Sequence, residues 1–355
     1  MAPPPELERH YGQLVKRAAG RVARAVGAWQ YADTHMPAMP ASSAAAPALP
    51  VRRRKTLLER IHAHRTVYLL LLPVLAYYLL FRYWPIGLSW VVSFKELSIG
   101  RGVWGSEWVG LGNFVEIFSR PGIVRVIRNT FEISLLRILF GFLPPILLAI
   151  LFHDMALPWF RKTTQTIVYI PHFFSWVIIW GIVFAVFSSA NGLVNNIRVF
   201  VGLERMEFLL SQGAFRPILI GSAIWKELGW GTIIYLAALS TVDPELYDAA
   251  VIDGAGPISR IRHITFPSIL PVVSFVLCLN FGFILYAGGE QVLLFYNPAV
   301  YDVGDIIDTW IYRVGLRQLE LSLGAAMGLF QSFFGLLTVV AANYVARRYT
   351  GRGIW

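Results

Sequence analysis

Six predominantly apolar blocks recur along the chain, at residues 66–94, 129–152, 166–187, 217–239, 269–287 and 323–345, with more polar connections between them. A helix needs about 20 apolar residues to cross roughly 30 Å of hydrocarbon. Each block is long enough, and none shows the strict alternation of a membrane barrel strand. Hydrocarbon demands that backbone donors and acceptors be satisfied within the structure, and a helix does this inside its own segment. The pattern predicts an all-α, polytopic membrane protein with six transmembrane helices.

Composition sharpens that picture. Of 355 residues, 56% are hydrophobic and 15% are charged, too apolar for a water-soluble globule. A net charge of +10 invites a nucleic-acid reading. Lys and Arg gather instead at the ends of apolar blocks, as "RRRK" at 52–55 and "RR" at 347–348, so no nucleic acid is expected. Basic flanks mark the cytoplasmic side, and both termini are expected there. Cys278, the single cysteine, lies in the fifth block and rules out an intrachain disulfide.

Residues 1–65 read as a basic cytoplasmic tail distinct from the membrane domain, 66–350. "LVKRAAGRVARAVGAW" fits either a basic amphipathic helix on an anionic leaflet or a solvated tail, and "MPAMPASSAAAPALP" fits a disordered Ala/Pro-rich linker. No compact apolar core suggests a cleavable signal.

The polar stretch "PELYDAAVIDGAGPISRIRHITFP", 244–267, is patterned throughout. Asp243 can cap a helix that Pro244 opens, with Glu245 at the positive end of its dipole. Gly254 and Gly256 predict a break, and Pro257 can open a second short helix carrying Ile258, Ile261 and Ile264. Small residues, isoleucines and the polar edges Asp253, Arg260 and Arg262 make the composition of a docking knob; an amphipathic loop resting on the bilayer is the plainer reading.

The spacing Asp248-Ala249-Ala250, then Gly254, then Ile264, Phe266 and Pro267 resembles the signature loop of binding-protein-dependent ABC importer permeases, which reads Glu-Ala-Ala, Gly, Ile-x-Leu-Pro. Asp stands here for Glu and Phe for Leu. "GSEWVGLGNF", "GWGTIIYLAALSTVDPELYDAA" and "YNPAVYDVGDIIDTWIYRVGL" look like the carbohydrate branch associated with polysaccharides and complex oligosaccharides, which includes an alginate importer. The resemblance covers the chain from about residue 66 and implies a type I ABC importer permease in a bacterial inner membrane. Its implied partners are a cytoplasmic ATPase dimer that binds ATP and Mg²⁺, a second permease chain, an extracytoplasmic solute-binding protein and an oligosaccharide, acidic in the alginate case. It implies ATPase coupling through Glu245, Asp248, Ala249, Ala250, Asp253, Gly254, Ile264 and Pro267. Sugar contacts at the family's distances from this loop would be Glu227, Trp230, Asn280, Phe283 and Ile284.

The residues themselves set limits on the chemistry. The sequence lacks Gly-x-x-x-x-Gly-Lys-Ser/Thr, so this chain is expected to bring no cofactor and to rely on a separate ATPase. Charges inside spans are costly and face cavities or partners: Arg82, Glu132, Arg137, Lys226 and Glu227. Lys226 or Arg137 can compensate Glu227 in a path for an acidic sugar. Asn280 and Phe283, three apart, are expected on one helical face. The connections 95–128, 188–216 and 288–322 are expected outside, beside a soluble binding protein. Asp302, Asp305 and Asp308 fit partner contact or solvation better than a metal site. His153 and His172 read as isolated, leaving no zinc or catalytic set. An ion-coupled carrier is the alternative, but no clear inverted repeat supports it.

Overall fold

The computed structural model of the chain describes residues 65–350; the tail, its linker and the basic run at 52–55 fall outside the described residues. Backbone contacts divide the chain into one unit ending at Leu72 and another beginning at Pro73. Of the first, Arg65–Leu72 is described, helical and exposed throughout. Among its described residues the second unit consists of helices and connecting loops, with one short strand pair, β1 (Lys95–Glu96) with β2 (Glu107–Trp108).

α1 (Arg65–Tyr78) runs through a π turn, Leu79–Tyr83, into α2 (Trp84–Ser93). Pro85 lies two residues past the end of that turn, in the first turn of α2. A proline lacks an N–H and its ring crowds the carbonyl four residues back, and a widened turn relieves both. α3 (Gly112–Ser119) lies before α4 (Ile123–Gly141), which continues into α5 (Leu143–Asp154). α6 (Pro158–Tyr169) passes through a 3₁₀ turn, Ile170–Phe173, and stops; α7 (Trp176–Phe187) leaves at 105°.

α8 (Gln212–Leu239) precedes the loop helix α9 (Pro244–Ile252). A helical turn Pro257–Arg260 and a π turn Ile261–Thr265 then lead without a break into α10 (Phe266–Gly282). α11 (Gly289–Phe295), α12 (Ile307–Trp310) and α13 (Leu321–Thr350) complete the described chain.

Four helical runs are long and apolar enough to span a membrane: Arg65–Ser93, Ile123–Asp154, Pro257–Gly282 and Leu321–Arg348. The bent pair Pro158–Phe173 and Trp176–Phe187 makes a fifth if it counts as one span. The expected six are therefore not reproduced by these criteria. The block 217–239 does lie in one helix, α8, but Arg216, Lys226 and Glu227 make that helix too polar for the same class. Two other boundaries change. The block 166–187 is broken at Phe174–Ser175, where Ser175 Oγ caps the new helix by accepting from Ile178 N at 3.4 Å. The fifth span starts at Pro257, earlier than expected, and ends at Gly282 instead of continuing to 287.

α8 is the central element and packs against α4, α5, α6, α7 and α10. Gly229 permits its approach to α6, since a Cβ there would stand 2.3 Å from Val168 O. Three buried clusters form the core, two of them including α8. Ile133, Ile179, Leu219 and Val292 join α4, α7, α8 and α11; Ile123, Trp310 and Met327 join α4, α12 and α13; Ile146, Tyr235 and Ile269 join α5, α8 and α10. Lipid tails are as apolar as leucine, so within a bilayer such seams hold through close packing and interhelical hydrogen bonds rather than water exclusion. Glu132 illustrates the second term, pairing with Arg216 of α8 at 2.7 Å and with Arg128 at 3.6 Å.

The three aspartates after α11 do not share a helical face. Asp302 pairs with Arg125 of α4. Asp305 forms a fork with Arg313 at 2.9 and 2.7 Å and accepts from Thr309 Oγ1 at 2.8 Å. Asp308 accepts from Gln331 Nε2 of α13 at 3.3 Å, and burial raises its carboxyl above the ordinary range while that hydrogen bond opposes the rise. Internal pairing thus takes Asp305, and in part Asp308, out of solvent, while Asp302 keeps the expected solvent exposure.

Candidate functional site

A cavity of about 420 Å³ opens between α4, α5, α8 and α10. Its wall on α8 is a stripe at helical spacing: Ala223, Glu227, Trp230 and Ile234. Arg137 enters from α4 and Asn280 from α10. Arg137 donates from Nη2 to Gln291 Oε1 of α11, while its Nε is buried without a partner. Among the described residues it makes no ion pair. Gln291 is itself fixed on α8, donating to Leu219 O at 2.8 Å and Ser222 Oγ at 2.9 Å. The Arg137 guanidinium also occupies the space beside Gly288, where a Cβ would fall 2.5 Å from Nη1.

Glu227 is differently placed. His172 Nδ1 stands 2.8 Å from its Oε2, and Lys226 Nζ 3.4 Å from its Oε1. Lys226 points away from the cavity, 6% exposed; it donates to His172 O at 2.6 Å and lies 5.5 Å above the Trp176 ring. The His172 ring stacks on Trp230, centroids 4.4 Å apart and planes 2° from parallel. The helix break thus delivers one residue to the middle of α8.

The loop after α8 is built as its sequence suggests. Asp243 Oδ1 accepts from Glu245 N at 3.0 Å, capping α9 with Pro244 in its first turn. At the far end, Gly254 N donates to Val251 O at 3.0 Å and Ala255 N to Ala250 O at 2.8 Å. This paired closure needs a left-handed residue, and Gly254 has φ +78°. Open space surrounds the position of a Gly254 Cβ, so the requirement for glycine is conformational. Ile252 and Ile258, at the tip, are 85% and 80% exposed. Asp248, Ala249, Asp253 and Pro267 are exposed, and Ala250 and Ile264 half-buried.

Residues 141–351 match the family model described as "Binding-protein-dependent transport system inner membrane component". The chain belongs to that family. This permease is 41% identical over 305 residues to the polygalacturonan/rhamnogalacturonan transport system permease protein YteP of Bacillus subtilis, covering 85% of this chain and 94% of that protein. It is 38% identical over 312 residues to Protein LplB of the same organism, covering 87% and 97%. A chain from the crystal structure of a bacterial ABC transporter involved in the import of the acidic polysaccharide alginate superposes with a TM-score of 0.77 at 39% identity, covering 83% of this permease and 100% of that chain. A second match, TM-score 0.77 and 38% identity over 84% and 100%, comes from the alginate transporter in complex with an alginate pentasaccharide-bound periplasmic protein. The fold is that of a type I ABC importer permease, and the chain is a transport subunit rather than an enzyme.

Of the residues expected along a sugar path, Arg137, Glu227, Trp230 and Asn280 meet at one cavity. Lys226 stands behind it. Phe283 and Ile284 do not line it: α10 ends at Gly282, and Phe283 caps that end, donating from N to Leu279 O at 3.2 Å and to Asn280 O at 3.1 Å. Phe283 is exposed at an edge-on contact with Tyr286. Ile284 lines a separate apolar cavity of about 500 Å³ with Cys278 and Phe281. Gly282 admits the close approach of α13, since a Cβ there would stand 2.7 Å from Val339.

His172 and Gln291 are additions that the chain alone did not suggest. His172 is not isolated, and its one local signal is its place in "IPHFFSW", between a proline and a helix-capping serine. His153 also has company, pairing with Asp154 at 3.1 Å and lying 5.5 Å from the Tyr247 ring. Among the described residues no group of His, Cys, Asp and Glu could hold a metal.

Proposed function

We propose that this permease carries a carboxylated oligosaccharide inward across the inner membrane, through the cavity bounded by Arg137, Glu227, Trp230 and Asn280. The single observation behind this reading is the unequal treatment of the two cavity charges. Glu227 is engaged at close range by Lys226 and His172, whereas the hydrogen-bond partner of the Arg137 guanidinium is the neutral Gln291 and Glu227 acts on it only through space from the same cavity wall. A guanidinium presents a planar fork suited to a carboxylate, and it is worth most where water is scarce. Trp230 supplies an apolar face for a sugar ring and Asn280 a polar group. The acidic sugars named for the alginate and polygalacturonan transporters support the same class.

Work comes from elsewhere. Two ATPase subunits binding ATP and Mg²⁺ close beneath this chain and a second, different permease chain. Residues 243–267 form the coupling loop, with Glu245, Asp248, Ala249, Ala250, Asp253, Gly254, Ile264 and Pro267 seated against one ATPase and both termini on that cytoplasmic side. The apolar tip Ile252 and Ile258 supports this, because exposed isoleucines lose little by leaving water for a protein groove. A solute-binding protein delivers sugar at the opposite face. Linkage requires the two cavity orientations to bind the ATPase states unequally, and the loop carries that difference.

Reconstitution of this chain with its partner permease, ATPase and binding protein in liposomes tests the reading. Uptake of a uronate oligosaccharide should depend on ATP and on the binding protein. Uptake driven equally well by an ion gradient without ATPase contradicts it.

A further inference from the structure

We infer that His172 determines specificity by screening the carboxylate of Glu227, so that a cavity containing a fixed anion still accepts an anionic sugar. This rests on the carboxylated-sugar reading above. A bare carboxylate on the cavity wall would repel a uronate, and the repulsion grows as water is expelled. Arg137 and Lys226 oppose it with formal charge: Arg137 acts from the same cavity wall, and Lys226 Nζ stands 3.4 Å from Glu227 Oε1 while donating to the His172 carbonyl at 2.6 Å. His172 is the nearest group and hydrogen-bonds the carboxylate itself, with Nδ1 at 2.8 Å from Oε2. An ionised carboxylate oxygen accepts only, so the proton of this bond belongs to Nδ1.

The ring is fixed for this task from two sides. Parallel stacking on Trp230 sets its plane, and the 3₁₀ turn ending at Phe173 sets its backbone just before the helix break. One residue therefore touches α8 at positions 226, 227 and 230. It covers one face of Trp230 and occupies one oxygen of Glu227, leaving the other face of the indole for sugar. With Glu227 screened, Arg137 dominates the field that an entering carboxylate meets. His172 acts through Glu227 and Trp230, which makes it a positioning residue rather than a direct sugar ligand.

The test uses the full reconstituted transporter and compares uptake of an oligogalacturonide with uptake of its carboxyl-reduced, neutral counterpart. The binding protein is the same in every arm, so a change in the ratio originates in the permease, and differences in assembly cancel within each preparation. His172→Phe keeps an aromatic ring on Trp230 and removes the hydrogen bond. The acid-to-neutral ratio should fall roughly tenfold, the factor that 1.4 kcal/mol represents. Adding Glu227→Gln should restore it to within about twofold, because the anion to be screened is then gone. An unchanged ratio in His172→Phe, or a fall that Glu227→Gln does not repair, overturns the proposal. Glu227→Gln alone must leave the preference at or above the wild-type level; a loss there makes Glu227 a required sugar contact and overturns the proposal independently. A wild-type transporter with no preference for the acid overturns the substrate reading itself.

Discussion

Tyr247 of the loop helix and Thr265 of the following π turn stand hydroxyl to hydroxyl, 3.2 Å apart. That contact fastens α9 to the start of α10, and Asn280 lies fifteen residues further along, about 22 Å at 1.5 Å per residue. On the proposed coupling role, a push on the loop would pass to a helix whose far end borders the cavity. Tyr247→Phe removes the bond and keeps the ring beside His153. The expected cost is about 1 kcal/mol of local stability. Sugar carried per ATP hydrolysed should fall while the complex still assembles; an unchanged ratio would show that the contact transmits nothing.

Gly254 adopts φ +78°, which costs a side-chain-bearing residue roughly 1–2 kcal/mol. Gly254→Val should therefore misalign the loop and uncouple hydrolysis from uptake, while Gly254→Asn, a residue that tolerates the left-handed region, should retain much of both. Measured uptake and ATPase rates in vesicles decide this. Normal ATP-dependent uptake by the valine variant contradicts the assigned role.

Arg137 is expected to set the charge preference of the cavity. Arg137→Gln should lower uptake of an acidic oligosaccharide at least tenfold relative to a neutral one, equivalent to about 1.4 kcal/mol. Arg137→Lys should fall between, since an ammonium keeps the charge and loses the fork. Equal preference in all three chains would remove Arg137 from the substrate path.

The aspartates after α11 should separate by burial. Asp305, 5% exposed, anchors Arg313 and Thr309, and Asp305→Asn should cost roughly 2 kcal/mol, seen as a lower unfolding temperature in detergent. Asp302 and Arg125 are each about half exposed, and Asp302→Asn should change stability by no more than about 0.5 kcal/mol.

Asp308 carries a pH signature. Burial raises its folded-state carboxyl above the unfolded value near about 3.9, so the folded protein is favoured when this group is protonated and loses that advantage as pH rises through the folded value. Asp308→Asn keeps an oxygen acceptor for Gln331. Its stability relative to the parent should be greatest at neutral pH and the gap should close on acidification; a gap that widens toward acid would refute the assignment.

The loop was the most legible part of the chain because its signals are local. Asp243, Pro244 and Gly254 act through caps, a fixed φ and a left-handed turn, all within a few residues. The cavity was legible only where it follows one helix: Glu227 and Trp230 share a face by spacing alone. Tertiary contacts decide the rest. Gly282 packs against Val339, 57 positions away, where α10 ends. His172 and Glu227 meet across a helix break whose angle no periodicity encodes. The count of six spans rested on apolarity, which α8 falls short of because it carries Arg216, Lys226 and Glu227; their partners on other elements, Glu132 and His172, are not visible in local composition.

The central claim is that the tip of the loop is covered by the ATPase in the working complex. It is tested most directly with Ile252→Cys in a Cys278→Ala background, which leaves one thiol, on a residue 85% exposed in the isolated chain. Maleimide labelling should be rapid for the permease alone and slowed at least tenfold in the assembled complex hydrolysing ATP. Equal labelling rates in the two, with transport intact, would contradict the account.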